Sequence, residues 1–327
     1  GVLKIDAGTT ILFNNGAAIT IEQAARMDAT GSISQPILMR GTRPGESSWR
    51  GLYIYSESGS MNLNHVIIED AGDGEEFGVF NNNHGAVTAH GSVSMKNCII
   101  RNSGSNGVLS HENVYETRFI DFENITITGC EEYPIMINQN HVIDMDFKSC
   151  TLIENGVNMI GLHQNNGDRL IKESTFLAQD IPYYISDGFE LYAPLTLEAG
   201  VELVMGNSSF LNSTRATSNF LLIQGTQSNH VTIRGEQALS GYWQGMLITK
   251  ENSLNIWEYV DISDGGGVVQ GRGDLAGNLT LERGAKLTIN NCTSSRSGGD
   301  CDIVLSDFAG TPSLVNNSPA ITSICEE

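Results

Sequence analysis

Long apolar runs and helical patterns are both missing from this sequence of 327 residues. No run of 18 or more apolar residues occurs, which excludes the kind of helix that spans a bilayer. The sequence has 7 prolines against 36 glycines, and the absence of a Gly-X-Y period excludes a collagen-like chain. No stretch repeats apolar residues with the helical period; residues 23–27 come closest and are followed directly by the turn-like residues 28–31. Short apolar runs at residues 9–13 and 36–39 are bounded by Gly, Asn or Ser, which predicts a mainly β protein.

Basic residues are also scarce. The chain has 18 Lys and Arg against 38 Asp and Glu, for a formal net charge of −20. Nucleic acid is therefore not an expected partner, because neutralising phosphates requires clustered basic side chains. A groove for polyanions is disfavoured too, unless a bound cation bridges the two negative surfaces. The charge predicts a soluble, self-repelling surface in an extracellular or saline setting.

The six cysteines form no Cys-x-x-Cys pair and have no zinc-finger spacing. Cys98 and Cys292 occupy the same position of an internal repeat described below, where an inward-facing side chain is expected, so we interpret them as buried thiols. Cys301 and Cys325 lie near the C-terminus, and we expect them to form a disulfide there.

One unit of sequence is used twice. The motif Ser-Trp-Arg-Gly-Leu-Tyr-Ile at residues 48–54 returns as Tyr-Trp-Gln-Gly-Met-Leu-Ile at residues 242–248. The offset from Trp49 to Trp243 is 194 residues, and without a gap it also aligns Asp70 with Asp264. Since both tryptophans precede a glycine and an apolar strand, we expect them to pack inside the protein rather than to stack on a sugar.

A shorter repeat runs through the middle of the chain. Segments that begin a strand recur near Cys98, Ile125, Cys150 and Ser174, at steps of 27, 25 and 24 residues. A unit of about 25 residues with short strands cannot bury its apolar side alone, whereas stacked units can share one core. Hairpins are the alternative, but they predict two-residue Asn-Gly or Asp-Gly loops at most corners. The regular spacing favours a solenoid of parallel strands.

Several segments resemble the right-handed parallel β-helix proteins of bacterial surfaces, which share the pectate-lyase-like fold. They lie at residues 6–13, 21–31, 36–41 and 49–51, and at 198–204 in the second half. The resemblance covers nearly the whole chain and implies an all-β, right-handed, single-stranded parallel β-helix with a duplicated coil set. We expect one β-helix body over residues 1–327, with a first run of coils at 1–195 and a second at 196–327. The family implies a secreted, periplasmic or outer-surface location, with a lipid anchor upstream of Gly1 as one option.

Polar residues align in columns when the coils are superposed. One column contains His111, Asn138, His163 and Asp187, and Asn82 extends it by one coil. The neighbouring column contains Glu112, Gln139 and Gln164. Outward-facing His and Asp side chains in a row are suited to binding a sugar or to acid–base chemistry on one. Because His111 and His163 are two coils apart, about 9 to 10 Å, they fit a ligand lying along the rod better than a tight catalytic pair. A following column, Asn113, Asn140 and Asn165, predicts a ladder of side-chain amides.

An acidic loop is the only candidate metal site. Asp70, Asp73, Glu75 and Glu76 lie in a glycine-rich segment of the kind that calcium prefers, although the EF-hand spacing is absent. The second repeat keeps only Asp264 of this set. We therefore expect no cofactor, with calcium as the alternative.

The family includes lyases, hydrolases, adhesins and proteins without a known activity, so the fold does not decide the function. The sequence has no Asp-Asp dipeptide of the kind found in the hydrolases, no Gly-x-Ser-x-Gly and no His-Glu-x-x-His motif. We therefore expect a monomeric protein that presents an elongated face to a polysaccharide or surface glycan without catalysis. The alternatives are a polysaccharide lyase or glycoside hydrolase acting in a groove along the rod, and a purely structural spacer.

Overall fold

The computed structural model describes residues 1–54, 58–73, 84–110, 118–145, 147–163, 169–214 and 219–327. Within these ranges the regular structure is almost all β, with two short 3-10 helices at Gln139–Asp144 and Phe147–Ser149. No helix in this part of the chain combines the length and apolar character of a membrane-spanning segment. The chain divides into two compact units, Gly1–His163 and Gln164–Glu327, which are described separately.

The first unit contains strands of three parallel sheets, and successive turns of the chain add strands to each sheet in the same order. One sheet stacks β1 (Val2–Ile5), β4 (Arg26–Thr30), β7 (Ser60–Asn64), β10 (Ser92–Lys96) and β13 (Arg118–Glu123). The next stacks β2 (Thr10–Phe13), β5 (Ile37–Gly41), β8 (Val66–Glu69), β11 (Ile99–Arg101), β14 (Thr126–Thr128) and β16 (Thr151–Ile153). The third stacks β3 (Ala18–Ile21), β6 (Gly51–Ile54), β9 (Gly85–Ala89), β12 (Asn106–Ser110), β15 (Ile135–Asn138) and β17 (Ile160–His163).

The second unit follows the same plan. One set of strands is β18 (Arg169–Leu170), β21 (Gly188–Leu191), β24 (Phe210–Ser213), β27 (Gly245–Ile248), β30 (Gly277–Leu281), β33 (Cys301–Leu305) and β35 (Ile324–Glu326). Another is β19 (Ser174–Phe176), β22 (Leu195–Glu198), β25 (Leu221–Gln224), β28 (Ile256–Glu258), β31 (Lys286–Asn290) and β34 (Ser313–Asn317). The third is β20 (Tyr183–Ile185), β23 (Glu202–Met205), β26 (Val231–Gly235), β29 (Val260–Ser263) and β32 (Thr293–Ser295). The predicted parallel β-helix is confirmed, whereas the runs of coils at 1–195 and 196–327 stay a prediction.

Like residues stack in the core because the parallel strands pair in register. Ile68, Ile100, Ile127 and Leu152 form one such column through the first unit. The first three are 0% exposed and Leu152 is 6% exposed. A coil buries each of these side chains only against the coils above and below it, which is why the repeat is needed for stability.

Single residues in the left-handed region turn the chain from one sheet to the next. His65, Asn97 and Asn124 follow strands of the first sheet with φ of 51°, 53° and 55°. Asparagine tolerates this conformation better than most side chains, because its short amide bonds locally. The recurrent corner is the physical basis of the regular spacing seen in the sequence.

The duplication extends to atomic contacts. Trp49 and Trp243 are both 0% exposed. Their indole Nε1 atoms donate to the backbone oxygens of Glu69 and Ser263, each at 2.8 Å. The predicted packing role of both tryptophans is confirmed, and Trp49 also stacks on Phe13 with ring centroids 3.9 Å apart.

The cysteine predictions are confirmed as well. Cys301 and Cys325 form a disulfide that joins β33 to β35. Cys98 and Cys292 are buried free thiols. Their Sγ atoms donate to the equivalent carbonyls of Leu63 and Trp257 at 3.5 and 3.6 Å.

Candidate functional site

The predicted polar column is described only in part. Asn82, His111, Glu112 and Gln164, together with Asn113 and Asn165 of the amide column, lie outside the described residues. Asn138 pairs with His163 across β15 and β17, so the coil register inferred from the sequence is confirmed at this point. Asp187 is an exposed residue of the second unit, and its Oδ2 accepts a hydrogen bond from the Ser186 hydroxyl at 3.2 Å.

The outward orientation expected of the first column does not hold for Asn138, which is 1% exposed, and Gln139 of the neighbouring column is also buried, at 2%. Asn138 is the N-cap of the 3-10 helix Gln139–Asp144, and its Oδ1 accepts from both the backbone N and the Nδ2 of Asn140 at 2.9 Å. The helix turns the chain inward directly after β15, which places these polar side chains in the interior. The amide of Asn140 makes its bond to Asn138 within its own coil. The ladder predicted for Asn113, Asn140 and Asn165 stays a prediction, because Asn113 and Asn165 lie outside the described residues.

The same turn contains a buried pair that the sequence analysis missed. The Nδ1 of His141 lies 3.2 Å from the Oγ of Ser110, which accepts a hydrogen bond from the backbone N of Asn138 at 2.8 Å. His141 is 0% and Ser110 1% exposed, so neither side chain faces solvent. The two residues are 31 positions apart, and no sequence motif connects them. We interpret the pair as the polar support of the turn, since buried hydroxyl and imidazole groups need hydrogen-bond partners.

The acidic loop has a structural role at its first residue. Asp70 is 1% exposed and has a φ of 59°. Its Oδ1 accepts from the backbone N of Gly45 at 2.9 Å and from the Nδ2 of Asn102 at 3.4 Å. This carboxylate therefore caps a corner of the coil in the interior of the unit.

The rest of the acidic loop leaves the calcium prediction open. Asp73 is half-buried, and Glu75 and Glu76 lie outside the described residues. No group of three His, Cys, Asp or Glu side chains suited to a metal ion occurs in the described part of the chain. Calcium binding by this loop stays a prediction.

A groove of 380 Å³ crosses several coils of the first unit. Its floor includes Ile67 and Ile99, which are paired in register on the outer side of β8 and β11. Ile33, in the loop between β4 and β5, forms part of the lining and is 88% exposed. The described lining contains no Asp, Glu, Lys or Arg, although the chain has a net charge of −20.

A ladder of amides runs beside the isoleucines. The Nδ2 of Asn124 donates to the Oδ1 of Asn97 at 2.5 Å, and the Nδ2 of Asn97 donates to the Oδ1 of Asn64 at 3.1 Å. Asn97 and Asn124 line the groove. The sequence analysis predicted an amide ladder in another column. It missed this one, in which Asn64 ends β7 while Asn97 and Asn124 occupy left-handed corners after their strands.

The titratable lining of the groove is limited to His65 and Cys98 among the described residues. Burial raises the pKa of the Cys98 thiol to about 11, against the opposing effect of its hydrogen bonds to backbone groups. The thiol is therefore neutral at ordinary pH and a poor nucleophile. This arrangement offers hydrogen bonds and apolar contact, with little means of acid–base chemistry.

A second cavity, of 480 Å³, lies in the second unit and has the opposite character. Lys250, Arg272 and Arg283 line it together with the carboxylate of Glu282. The sequence analysis missed this cluster because its members are far apart in the chain. Lys250 follows β27, Glu282 and Arg283 follow β30, and Arg272 lies in the long loop before β30. The pairing of β27 with β30 brings Lys250 close to Glu282 and Arg283, and the hydrogen bond from the backbone N of Arg272 to the Glu282 carboxylate adds Arg272.

Comparison of the chain with protein-family models, curated proteins and solved structures finds no match. The resemblance to bacterial β-helix proteins therefore stays a prediction.

Proposed function

We propose that this protein binds an elongated, uncharged ligand, with a neutral glycan as the expected class, along the groove of the first unit. The observation that carries the proposal is the uncharged lining of that groove in a strongly acidic chain. A neutral ligand that covered a charged side chain would bury that charge without a partner, which costs free energy. An uncharged groove therefore suits an uncharged ligand.

The chemistry of the lining supports a sugar. Side-chain amides supply both donors and acceptors, which sugar hydroxyls match. Apolar surface, here from Ile33, Ile67 and Ile99, contributes about 25 cal/mol for each Å² that a ligand covers. Since the ladder and the isoleucine column both follow the coil stacking, an extended ligand contacts the same groups repeatedly.

Binding without catalysis is the better supported activity at this groove. Glycoside hydrolysis ordinarily requires two carboxyl groups about 5 to 9.5 Å apart. The described lining offers only an imidazole and a neutral thiol as titratable groups. The lyase or hydrolase alternative would need a different site.

The disulfide supports a location outside the reducing cytosol. Bonds such as Cys301–Cys325 form and persist in oxidising compartments. We infer that the protein is secreted, periplasmic or displayed on an outer surface. A bacterial source, a lipid anchor and a monomeric state stay predictions.

The test is a binding screen of the full chain against neutral glycans (glucans, xylan, galactomannan) and acidic ones (polygalacturonate, alginate), with and without calcium. We expect binding to a neutral glycan that falls at least fivefold in Ile33→Ser and in Ile99→Thr. Ile120→Ser, which changes an isoleucine that is 64% exposed and outside the groove lining, is the matched control and should bind normally.

Two further results discriminate between the alternatives. Loss of binding in His163→Ala with unchanged binding in Ile33→Ser would move the site to the polar column and contradict the groove. New reducing ends or unsaturated products in the same mixtures would replace the binding proposal with an enzyme. Absence of both binding and products would leave the structural spacer.

A further inference from the structure

The cavity of the second unit concentrates positive charge in a chain that has little of it. Lys250, Arg272 and Arg283 line the cavity, and Glu282 is the only carboxylate in its described lining. The whole chain has 18 basic residues against 38 acidic ones. The cavity therefore reverses the sign of the protein's overall charge locally.

Strand register explains how the cluster forms. Ile248, the last residue of β27, pairs with Leu281, the last residue of β30. The backbone N of Glu282 donates to the backbone oxygen of Ile248 at 3.0 Å, so the segments that follow β27 and β30 stay adjacent beyond the ends of the strands. Lys250 and Arg283 consequently leave neighbouring coils at the same corner.

Glu282 is the fixed part of the cluster. It is 1% exposed, and its carboxylate accepts a hydrogen bond from the backbone N of Arg272. Its Oε2 also lies 3.5 Å from the Nε of Arg283. The Glu282 carboxylate holds both arginine residues in place. Moving either arginine away would leave the buried negative charge of Glu282 less compensated, which costs free energy.

The two guanidinium groups flank one aromatic ring. Arg283 lies 5.0 Å and Arg272 5.9 Å from the ring centroid of Phe308. A ring restrains guanidinium groups by cation–π attraction while leaving their N–H groups available. Among the described residues, neither the Lys250 ammonium nor the Arg272 guanidinium has a carboxylate at ion-pair distance.

We propose that this cavity is an oxyanion-binding site, in which Lys250 and Arg272 hold a carboxylate, sulfate or phosphate group of a small ligand. Arginine presents N–H groups in a fork that matches two oxygens of such a group, and lysine adds a point charge. A cavity of 480 Å³ is within the range of small-molecule sites and is much larger than a bare anion needs. The ligand therefore has a polar body as well as its charged group, as a sugar acid does.

The overall negative charge does not prevent this binding at physiological salt. The Debye length is about 8 Å at an ionic strength of 0.15 M, so carboxylates further away are largely screened. The cationic groups in direct contact with the anion are screened much less. Local charge thus outweighs the net charge of −20.

The experiment is isothermal titration calorimetry on the full chain at constant ionic strength, with inorganic sulfate, inorganic phosphate, D-glucuronate and neutral D-glucose as probes. We expect one site for at least one oxyanion, with D-glucuronate bound more tightly than D-glucose. Binding should weaken at least tenfold in Lys250→Gln and in Arg272→Gln. The second change keeps the backbone N that Glu282 requires.

Arg43→Gln is the matched control, since Arg43 is an exposed arginine of the first unit whose side chain is 67% accessible. It should leave the affinity unchanged. Thermal unfolding midpoints equal to that of the unmodified protein would show that the cavity variants are folded. No heat with any of the three oxyanions, or equal affinity in all variants, would overturn the proposal. Because the groove probes are neutral glycans and the groove variants lie in the other unit, failure here is distinguishable from failure of the proposed function.

Discussion

Trp49 and Trp243 make the same hydrogen bond in two copies of one structural unit. Each indole Nε1 donates at 2.8 Å to the backbone oxygen of a residue twenty positions later, Glu69 or Ser263. Both side chains are 0% exposed. The bond joins the segment before β6 to the end of β8 in the first unit, and the segment before β27 to the end of β29 in the second.

Trp49→Phe and Trp243→Phe should each lower stability by about 1–3 kcal/mol, because a buried carbonyl loses its donor. Equilibrium unfolding in urea, followed by far-UV circular dichroism, measures the effect. The two losses should be similar, since the bonds are equivalent. A loss confined to Trp49→Phe would instead point to the stacking of Trp49 on Phe13, which has no counterpart at Trp243 among the described residues.

Asp70 and Asp264 are equivalent in sequence but have different partners. Asp264 accepts from the Nε of Arg296 at 2.5 Å, and this bond raises the pKa of Arg296. Asp264→Asn should therefore cost about 1–2 kcal/mol, discounted for the half-exposed guanidinium.

Asp70→Asn should cost less than about 1 kcal/mol, because an amide oxygen still accepts from Gly45. Asparagine tolerates the positive φ at both sites, so backbone strain does not confuse the comparison. Urea unfolding of the two variants at low and high salt provides the measurement. Equal losses in both would contradict the different roles assigned to the two carboxylates.

Reduction of the disulfide should destabilise the C-terminal strands. Cys301 and Cys325 are separated by 24 residues, and closing a loop of this size contributes roughly 3 kcal/mol. Titration of thiols in denaturant should give four before reduction, from the free cysteines, and six after it. The thermal midpoint should fall on reduction, and Cys301→Ser should remove this sensitivity; a midpoint indifferent to reductant in the unmodified protein would contradict the stabilising role.

Stability should also fall in alkaline solution. Burial raises the pKa of Cys98 to about 11 and that of Cys130 to about 12. A cysteine in the unfolded chain has a pKa near 8.5–9. At pH values between this and the folded-state pKa, the unfolded chain binds fewer protons than the folded one, so rising pH favours unfolding. The stability that the two protonated thiols contribute is fully present below about pH 8.5 and is lost as the pH rises toward 11–12.

Urea unfolding at several values between pH 8 and pH 11 measures this slope. The double variant Cys98→Ala, Cys130→Ala should show a shallower decline than the unmodified protein. The slopes, rather than the absolute stabilities, are compared, because each change also removes a buried sulfur. Identical slopes would show that the two thiols do not titrate as their burial implies.

Much of the fold was predictable because stacking imposes a period on the sequence. The offset of 194 residues identified Trp49 and Trp243, and the coil steps placed Asn138 opposite His163. Each coil repeats the same corner residues and the same inward-facing apolar residues. The register between coils can therefore be inferred from the sequence, without knowledge of the contacts. The direction in which a side chain points after a strand is not periodic in this way.

The predicted polar column and the charged cavity of the second unit both depend on features that do not follow the coil repeat. The 3-10 helix after Asn138 turns its side chain inward, where the coil pattern predicted an exposed column. Lys250, Arg272 and Glu282 line the cavity together, and Arg272 comes from the long loop between β29 and β30. The side chains of such irregular segments differ from coil to coil, so the repeat in the sequence does not predict where they point or what they contact.

The amide ladder has a direction. Asn124 donates to Asn97, and Asn97 donates to Asn64, so every side-chain dipole points the same way along the stack. Reversing a bound chain would therefore exchange donors for acceptors at each contact. A polymer with distinguishable ends would be accommodated in one orientation only, and the groove would sense polarity as well as shape.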